Sequence, residues 1–174
     1  MKITDKYVFF FTAQDIFSQW HPSPFTVRGY AFKTAEHYMM FYKAKYFGDH
    51  QKAQEALEAP TPKQAKAIGK LVTPFIKSVW DTQALVAVKQ ASLAKFRQNK
   101  TLRAELLRHA GKTFVEASST DCLWGVGLAE NDPRILDPKN WRGKNQLGVI
   151  LTEVAKELAI EFAEEHRQLL SQSN

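Results

Sequence analysis

Cysteine is almost missing from this chain. Cys122 stands alone in 174 residues, which excludes an internal disulfide and any multi-cysteine metal cluster and fits a reducing compartment. Long apolar runs are missing too. The opening MKITDKYVFFFTAQD holds only the short run 8–11, and no stretch approaches the roughly 20 apolar residues of a membrane span. The expectation is a soluble cytoplasmic protein with no signal peptide and no membrane partner. Basic runs like those of nucleic-acid-binding tails are also absent, the lysines being spread along the chain.

Standard chemical signatures are as scarce. His21, His37, His50, His109 and His166 are scattered, without a His-Glu-x-x-His pair, so no metal site is expected. There is no Gly-x-Ser-x-Gly. Gly125-Val126-Gly127 lacks the third glycine and the strand-to-helix setting of a dinucleotide fingerprint. Gly143-Lys144 lacks the leading glycine and spacer of a Walker loop. No cofactor is expected.

What is present belongs to a folded protein. Hydrophobic residues make up 44% and aromatics 12%, far from the composition of disordered chains. A chain of this length buries about 70% of its unfolded surface, so residues 1–174 are read as one domain with its core over about 7–166. The net charge of +6 favours anionic partners: nucleic acid, nucleotides or sugar phosphates.

Local patterns predict mostly helices. Tyr7 to Thr12 reads as a short strand, and Phe25 to Phe32 as a hairpin turning at Arg28-Gly29, after a loop marked by Pro22 and Pro24. Thr34 caps a helix that runs to Gly48 with Glu36 in its first turn. Gln51 to Leu57 follows, then a helix opened by Thr61-Pro62 that ends near Gly69. Asp81 is placed as the cap of a helix whose stripe is Leu85, Val88, Ser92, Leu93 and Phe96. Thr101 to His109 is a short helix closed by Gly111, and Thr113 to Ser118 a strand. Leu147, Ile150, Leu151, Val154, Leu158 and Phe162 trace a terminal helix that frays past His166. The fold class is therefore mainly α (α+β), a single compact helical domain with a few short strands.

Two features point to chemistry. Residues 121–148 lack periodicity for longer than an ordinary connection, yet Trp124, Leu128, Ile135, Leu136 and Trp141 are too apolar for a solvated linker. A packed, ligand-facing loop is expected, ending at Gly143-Lys144-Asn145, where free backbone N–H groups, a lysine and an amide would suit a phosphate. On the helix after Thr34, Glu36, Met40 and Lys43 share one face at spacings of four and three. That face lies on a helix expected to be buried on more than one side, and two turns is too far for an ordinary surface ion pair, so a ligand fits between acid and amine.

These residues also carry a resemblance. FSQWHPSPF (17–25), FKTAEHYMMFYKA (32–44), KFRQN (95–99), FVEASSTDCLWGVGL (114–128) and WRGKNQLGVIL (141–151) together resemble the NADAR family, also called YbiA-like, in order across nearly the whole chain. The resemblance implies a largely helical N-glycosidase. Its substrates would be phosphoribosylated aminopyrimidines of riboflavin synthesis, or guanine bases carrying ADP-ribose, including ADP-ribosylated nucleic acid. Position by position it implies Glu36, Lys43 and Asp121 as catalytic residues and Trp80, Trp124, Gly143, Lys144 and Asn145 as substrate contacts, with Gly125 and Gly127 in the same loop. Ser18-Gln19-Trp20 stands where many members have Ser-Asn-Phe, so the amide is kept but is one methylene longer. Met40 stands where some relatives have glutamine.

Two routes fit these residues. In one, neutral Lys43 attacks the opened anomeric carbon to form an imine that water hydrolyses, while Glu36 and Asp121 move protons. In the other, a carboxylate directs water onto an oxocarbenium-like carbon. A non-catalytic reader of ADP-ribose or a related nucleotide is the alternative of another class, and it would need neither a base nor a nucleophilic amine.

Overall fold

The computed structural model describes residues 1–172. It is mainly helical, with seven α-helices and a few short strands among the described residues. These form two compact units, one built from Met1–Ser18 with the chain from Lys100 onward, the other from Gln19–Asn99. No helix among the described residues is long and apolar enough to cross a membrane.

In the unit Gln19–Asn99, strands β3 (Phe25–Val27) and β4 (Tyr30–Phe32) pair antiparallel with Phe25 opposite Phe32. Arg28 and Gly29 both have positive φ, 50° and 82°, as a two-residue hairpin turn of matching twist requires. Helix α1 (Ala35–Tyr46) starts where Thr34 accepts from the His37 N–H, as the sequence indicates. Around it stand α2 (His50–Glu58), α3 (Pro62–Gly69) and α4 (Lys77–Gln98). Nine of the 12 residues of α1 are buried, Glu36 and Lys43 among them, so the charges at these two positions are desolvated.

Helix α4 corrects one expectation. It begins a turn before Asp81, after Ile76, with no side-chain cap; Asp81 instead accepts from the Lys77 ammonium four residues earlier, at 2.6 Å. Its buried face differs as well. Val88, Ser92 and Phe96 are buried, but Leu85 and Leu93 only partly so, and Ala84, Ala87, Ala91 and Ala94 fill the remaining contact. Alanines let neighbouring backbones approach closely, a packing that a search for large apolar residues overlooks.

In the other unit, β1 (Lys2–Ile3) pairs antiparallel with β2 (Tyr7–Phe10), which pairs parallel with β5 (Thr113–Glu116), Tyr7 opposite Thr113. β1, two exposed residues long, has no sequence signal. The long loop is packed as expected. Val126, Leu128 and Ile135 join Phe9, Val115 and Ala117 in a buried cluster against which Tyr7 and Trp141 lie, and the Trp141 Nε1–H donates to Ile135 O at 2.8 Å. Leu136 departs from the pattern at 46% exposed.

Three helices complete this unit: α5 (Lys100–Arg108), α6 (Gln146–Glu161) and α7 (Ala163–Ser171). Helix α6 lies on β5, and Thr152 Oγ1 accepts from the Phe114 N–H at 3.0 Å. The expected fraying beyond His166 does not occur. The chain leaves helical geometry at Phe162 (φ −112°, ψ 43°) and resumes as α7 through Ser171. The restart is held by Arg103 of α5, whose guanidinium lies 4.1 Å from the centre of the Phe162 ring and whose Nε donates to Glu165 at 3.0 Å.

Candidate active site

Helix α1 brings the predicted acid and amine into one buried face. Glu36 is 6% exposed and Lys43 8%. Side chains on a helix lean toward its N-terminus, so the long lysine reaches back along the face toward Glu36. Gly69, at the end of α3, marks how far. Lys43 Nζ donates to Gly69 O at 2.7 Å, and a Cβ on Gly69 would overlap Met40 Sδ, so the ammonium head lies at the end of α3 that packs against Met40.

Each group is pushed toward its neutral form. Burial raises the Glu36 pKa above the usual carboxylate range, partly offset by the charge of Lys66 and by the Trp20 Nε1–H, which donates to Glu36 Oε2 at 3.2 Å. Burial lowers the Lys43 pKa below 10.5. Among the described residues no carboxylate pairs with its amine; a carbonyl and the rings of Phe75 and Trp80, with centroids 4.1 Å and 5.6 Å away, surround it. A carboxyl whose pKa burial raises and an amine whose pKa burial lowers, on one helix face, are groups suited to protonating a leaving group and attacking carbon.

The segment before β3 supports this face. Gln19 O accepts from the Glu36 N–H at 3.0 Å, tying the loop to the first turn of α1. The Gln19 amide is buried, its Nε2 donating to Ser92 Oγ at 3.5 Å while Oε1 has no hydrogen-bond partner among the described residues. Histidine 37, fully buried, is structural: its ring bridges Thr34 Oγ1 (2.7 Å) and Ala59 O (3.0 Å), and burial lowers its pKa.

The remaining predicted residues belong to the other unit. Ser18 is buried, with its N–H donating to Asp15 O at 2.9 Å. Asp121 Oδ1 accepts from the Leu123 and Trp124 N–H groups, both at 2.8 Å, and so shapes the turn that carries Trp124. Gly143 sits where a Cβ would overlap Gly125 O, which explains a glycine there by close backbone approach.

The expected cradle of free N–H groups is corrected. Gly143 N donates to Val126 O, Lys144 N to Cys122 O, Asn145 N to Gly125 O, Gln146 N to Leu123 O and Leu147 N to Trp124 O. The loop's own carbonyls therefore cap α6, and these donors are consumed. The Asn145 amide also turns inward, its Nδ2 donating to Phe114 O at 2.9 Å and its Oδ1 accepting from the Glu116 N–H at 3.0 Å. The Lys144 side chain of this turn is exposed.

Sequence reasoning missed three residues beside the acid and the amine. Lys66 acts on Glu36 and its ammonium lies 5.8 Å from the centre of a Trp20 ring; Gly69 holds Lys43; Phe75 covers it. Lys66 and Phe75 lie outside any local pattern, and Gly69 reads in sequence only as a helix end. Among the described residues, no group of three His, Cys, Asp or Glu side chains is placed to hold a metal ion.

Comparison with known proteins follows the same lines. The NADAR domain model matches residues 9–159, taking in parts of both units. An N-glycosidase of Acanthamoeba polyphaga mimivirus is 37% identical over 165 residues, covering 88% of this chain and 97% of that protein. N-glycosidase YbiA of Escherichia coli K12 is 31% identical over 155 residues, covering 88% of each. The NMR structure of the E. coli protein YbiA matches with a TM-score of 0.75 at 30% identity, over 94% of this chain and 90% of that one. Relatives sharing the N-glycosidase name over most of their length make this chain a glycosyl hydrolase. With its family model spanning most of the sequence and a fold shared with YbiA, the chain belongs to the NADAR domain family.

Proposed function

We propose that this enzyme hydrolyses the bond between a ribose anomeric carbon and a base nitrogen, with Glu36 as proton donor and Lys43 as nucleophile. The observation that carries the reading is the pair itself: two titratable groups buried on one helix face, the pKa of the acid raised and that of the amine lowered by burial. A module that only bound nucleotides would gain nothing from a desolvated amine and a desolvated acid on one helix face.

The steps balance as follows. The Glu36 carboxyl gives its proton to the leaving nitrogen as the C1–N bond breaks, and the lone pair of Lys43 Nζ forms a new bond to C1. A proton passes from that nitrogen to the ring oxygen as the C1–O bond opens, giving a protonated imine. Water adds to the imine carbon, and the proton of the new hydroxyl passes to the lysine nitrogen as the C–N bond breaks, so the free sugar leaves as its aldehyde with the amine restored. Glu36, ionised after the first step, takes the proton from the attacking water.

For the substrate we propose an N-riboside bearing phosphate, of the phosphoribosyl aminopyrimidine or ADP-ribosylguanine class. The net charge of +6 supports an anionic ligand. Asp121 is proposed as a further proton-transfer residue and Lys144 as a phosphate contact.

Borohydride added during turnover on each substrate class tests the reading. The expected result is a reduced sugar adduct on the peptide containing Lys43, and neither adduct nor product from Lys43→Arg, which keeps the charge without a nucleophilic amine. Substantial turnover by Lys43→Arg would leave a carboxylate-only glycosidase.

A further inference from the structure

The connection from α3 to α4, residues 70–76, carries an aromatic ring that the chemistry above does not use. Phe75 is 42% exposed, yet its inner face lies 4.1 Å from Lys43 Nζ, and its ring meets Phe47 at 5.4 Å in an edge-on contact. A singly exposed phenylalanine is ordinary. One held by a second ring over a buried amine is placed there by the tertiary structure. With Gly69 O on one side at 2.7 Å and Trp80 at 5.6 Å, the ring completes a seat for the amine in which it leaves water little access.

We propose that Phe75 is a positioning residue for the glycosidase reaction: its ring covers the Lys43 amine, excludes water from it and keeps it against the Gly69 carbonyl. The proposal rests on the reading of Lys43 as nucleophile.

Opposing effects act on this amine. A ring face attracts the ammonium form, whereas exclusion of water disfavours it. Burial lowers the Lys43 pKa, and the Phe75 ring 4.1 Å away is part of what covers the amine. Charged groups on the packed elements do not replace that effect. Lys52 and Glu55 of α2 pair with each other, as do Lys77 and Asp81 of α4. Lys66 of α3 acts on Glu36, which stands two turns before Lys43, and Lys45 of α1 lies 3.2 Å from His50 Nδ1. Removing the ring admits water, so the ammonium form gains and the amine loses its neutral fraction at neutral pH.

The test is the pH dependence of acetic anhydride labelling at Lys43, read by peptide mass spectrometry on the whole folded chain, beside kcat/KM profiles on the same preparations. In Phe75→Ala the labelling midpoint moves up toward the ordinary 10.5, and labelling at pH 7.5 falls about tenfold. Phe75→Leu, which keeps an apolar cover, stays close to the parent. Coincident midpoints for the parent and Phe75→Ala overturn the proposal, as does a Phe75→Leu midpoint displaced as far as that of alanine. The acid limb of kcat/KM moves with the midpoint. A midpoint that moves while the limb stays fixed removes Lys43 from the chemistry and leaves the shielding by Phe75 standing.

Discussion

Glu36→Gln separates catalysis from stability because the structure assigns them opposite signs. A carboxyl only 6% exposed with a raised pKa binds its proton more tightly in the folded chain than in the unfolded one. Folding stability contributed by such a group is largest below the unfolded value of 4.5 and declines as pH rises from there to the raised folded value. Each unit of that interval corresponds to about 1.4 kcal/mol. Glutamine matches glutamate in shape, cannot ionise, and presents an oxygen to the Trp20 Nε1–H that donates to Glu36 at 3.2 Å. The variant is therefore expected to melt no lower than the parent at pH 7, with its relative advantage shrinking toward pH 4. Turnover moves the other way. Without a proton donor, reducing-sugar release from an N-riboside falls about a hundredfold or more, equivalent to about 3 kcal/mol in the barrier. Paired thermal melts at pH 4 and pH 7 with a steady-state assay read both quantities. Near-normal turnover in the folded variant, or a melting difference that does not change with pH, would refute the reasoning.

Other substitutions follow from the unit that holds the long loop. Asp121→Asn keeps an oxygen for the Leu123 and Trp124 N–H groups, so the turn survives; a hundredfold or greater fall in kcat at unchanged melting temperature is expected, about the usual cost of a lost acid or base. Full activity would reduce Asp121 to a turn residue. Lys144→Ala removes an exposed cation and is expected to raise KM more than it lowers kcat, whereas a pure kcat loss in steady-state kinetics would place Lys144 at the reacting bond. Asn145→Ala strips both buried hydrogen bonds to β5, from a left-handed backbone position (φ 51°) that asparagine tolerates better than alanine. A loss of about 2–4 kcal/mol in urea unfolding is expected, and a loss below about 1 kcal/mol would contradict the bracing role.

Where signals act within a few residues, sequence alone determined the outcome. The Arg28-Gly29 turn, the Thr34 cap and the Thr61-Pro62 helix start each depend on local backbone preference and a side chain reaching at most three residues. The packed state of residues 121–148 also followed from composition, since the apolar residues at 126, 128 and 135 have nowhere to go but a core. The common face of Glu36 and Lys43 is helical arithmetic. Tertiary structure decided the rest. Whether the amides of residues 143–147 met a ligand or the loop's own carbonyls depended on where residues 122–126 pass, and the inward turn of Asn145 depended on β5, some thirty positions away. The restart after Phe162 likewise follows from a partner outside the local pattern, Arg103. Above all, sequence could name Lys43 but could not supply its environment. The Gly69 carbonyl and the Phe75 ring come from 26 and 32 positions further along, and contacts at that separation form only when the chain has closed around α1.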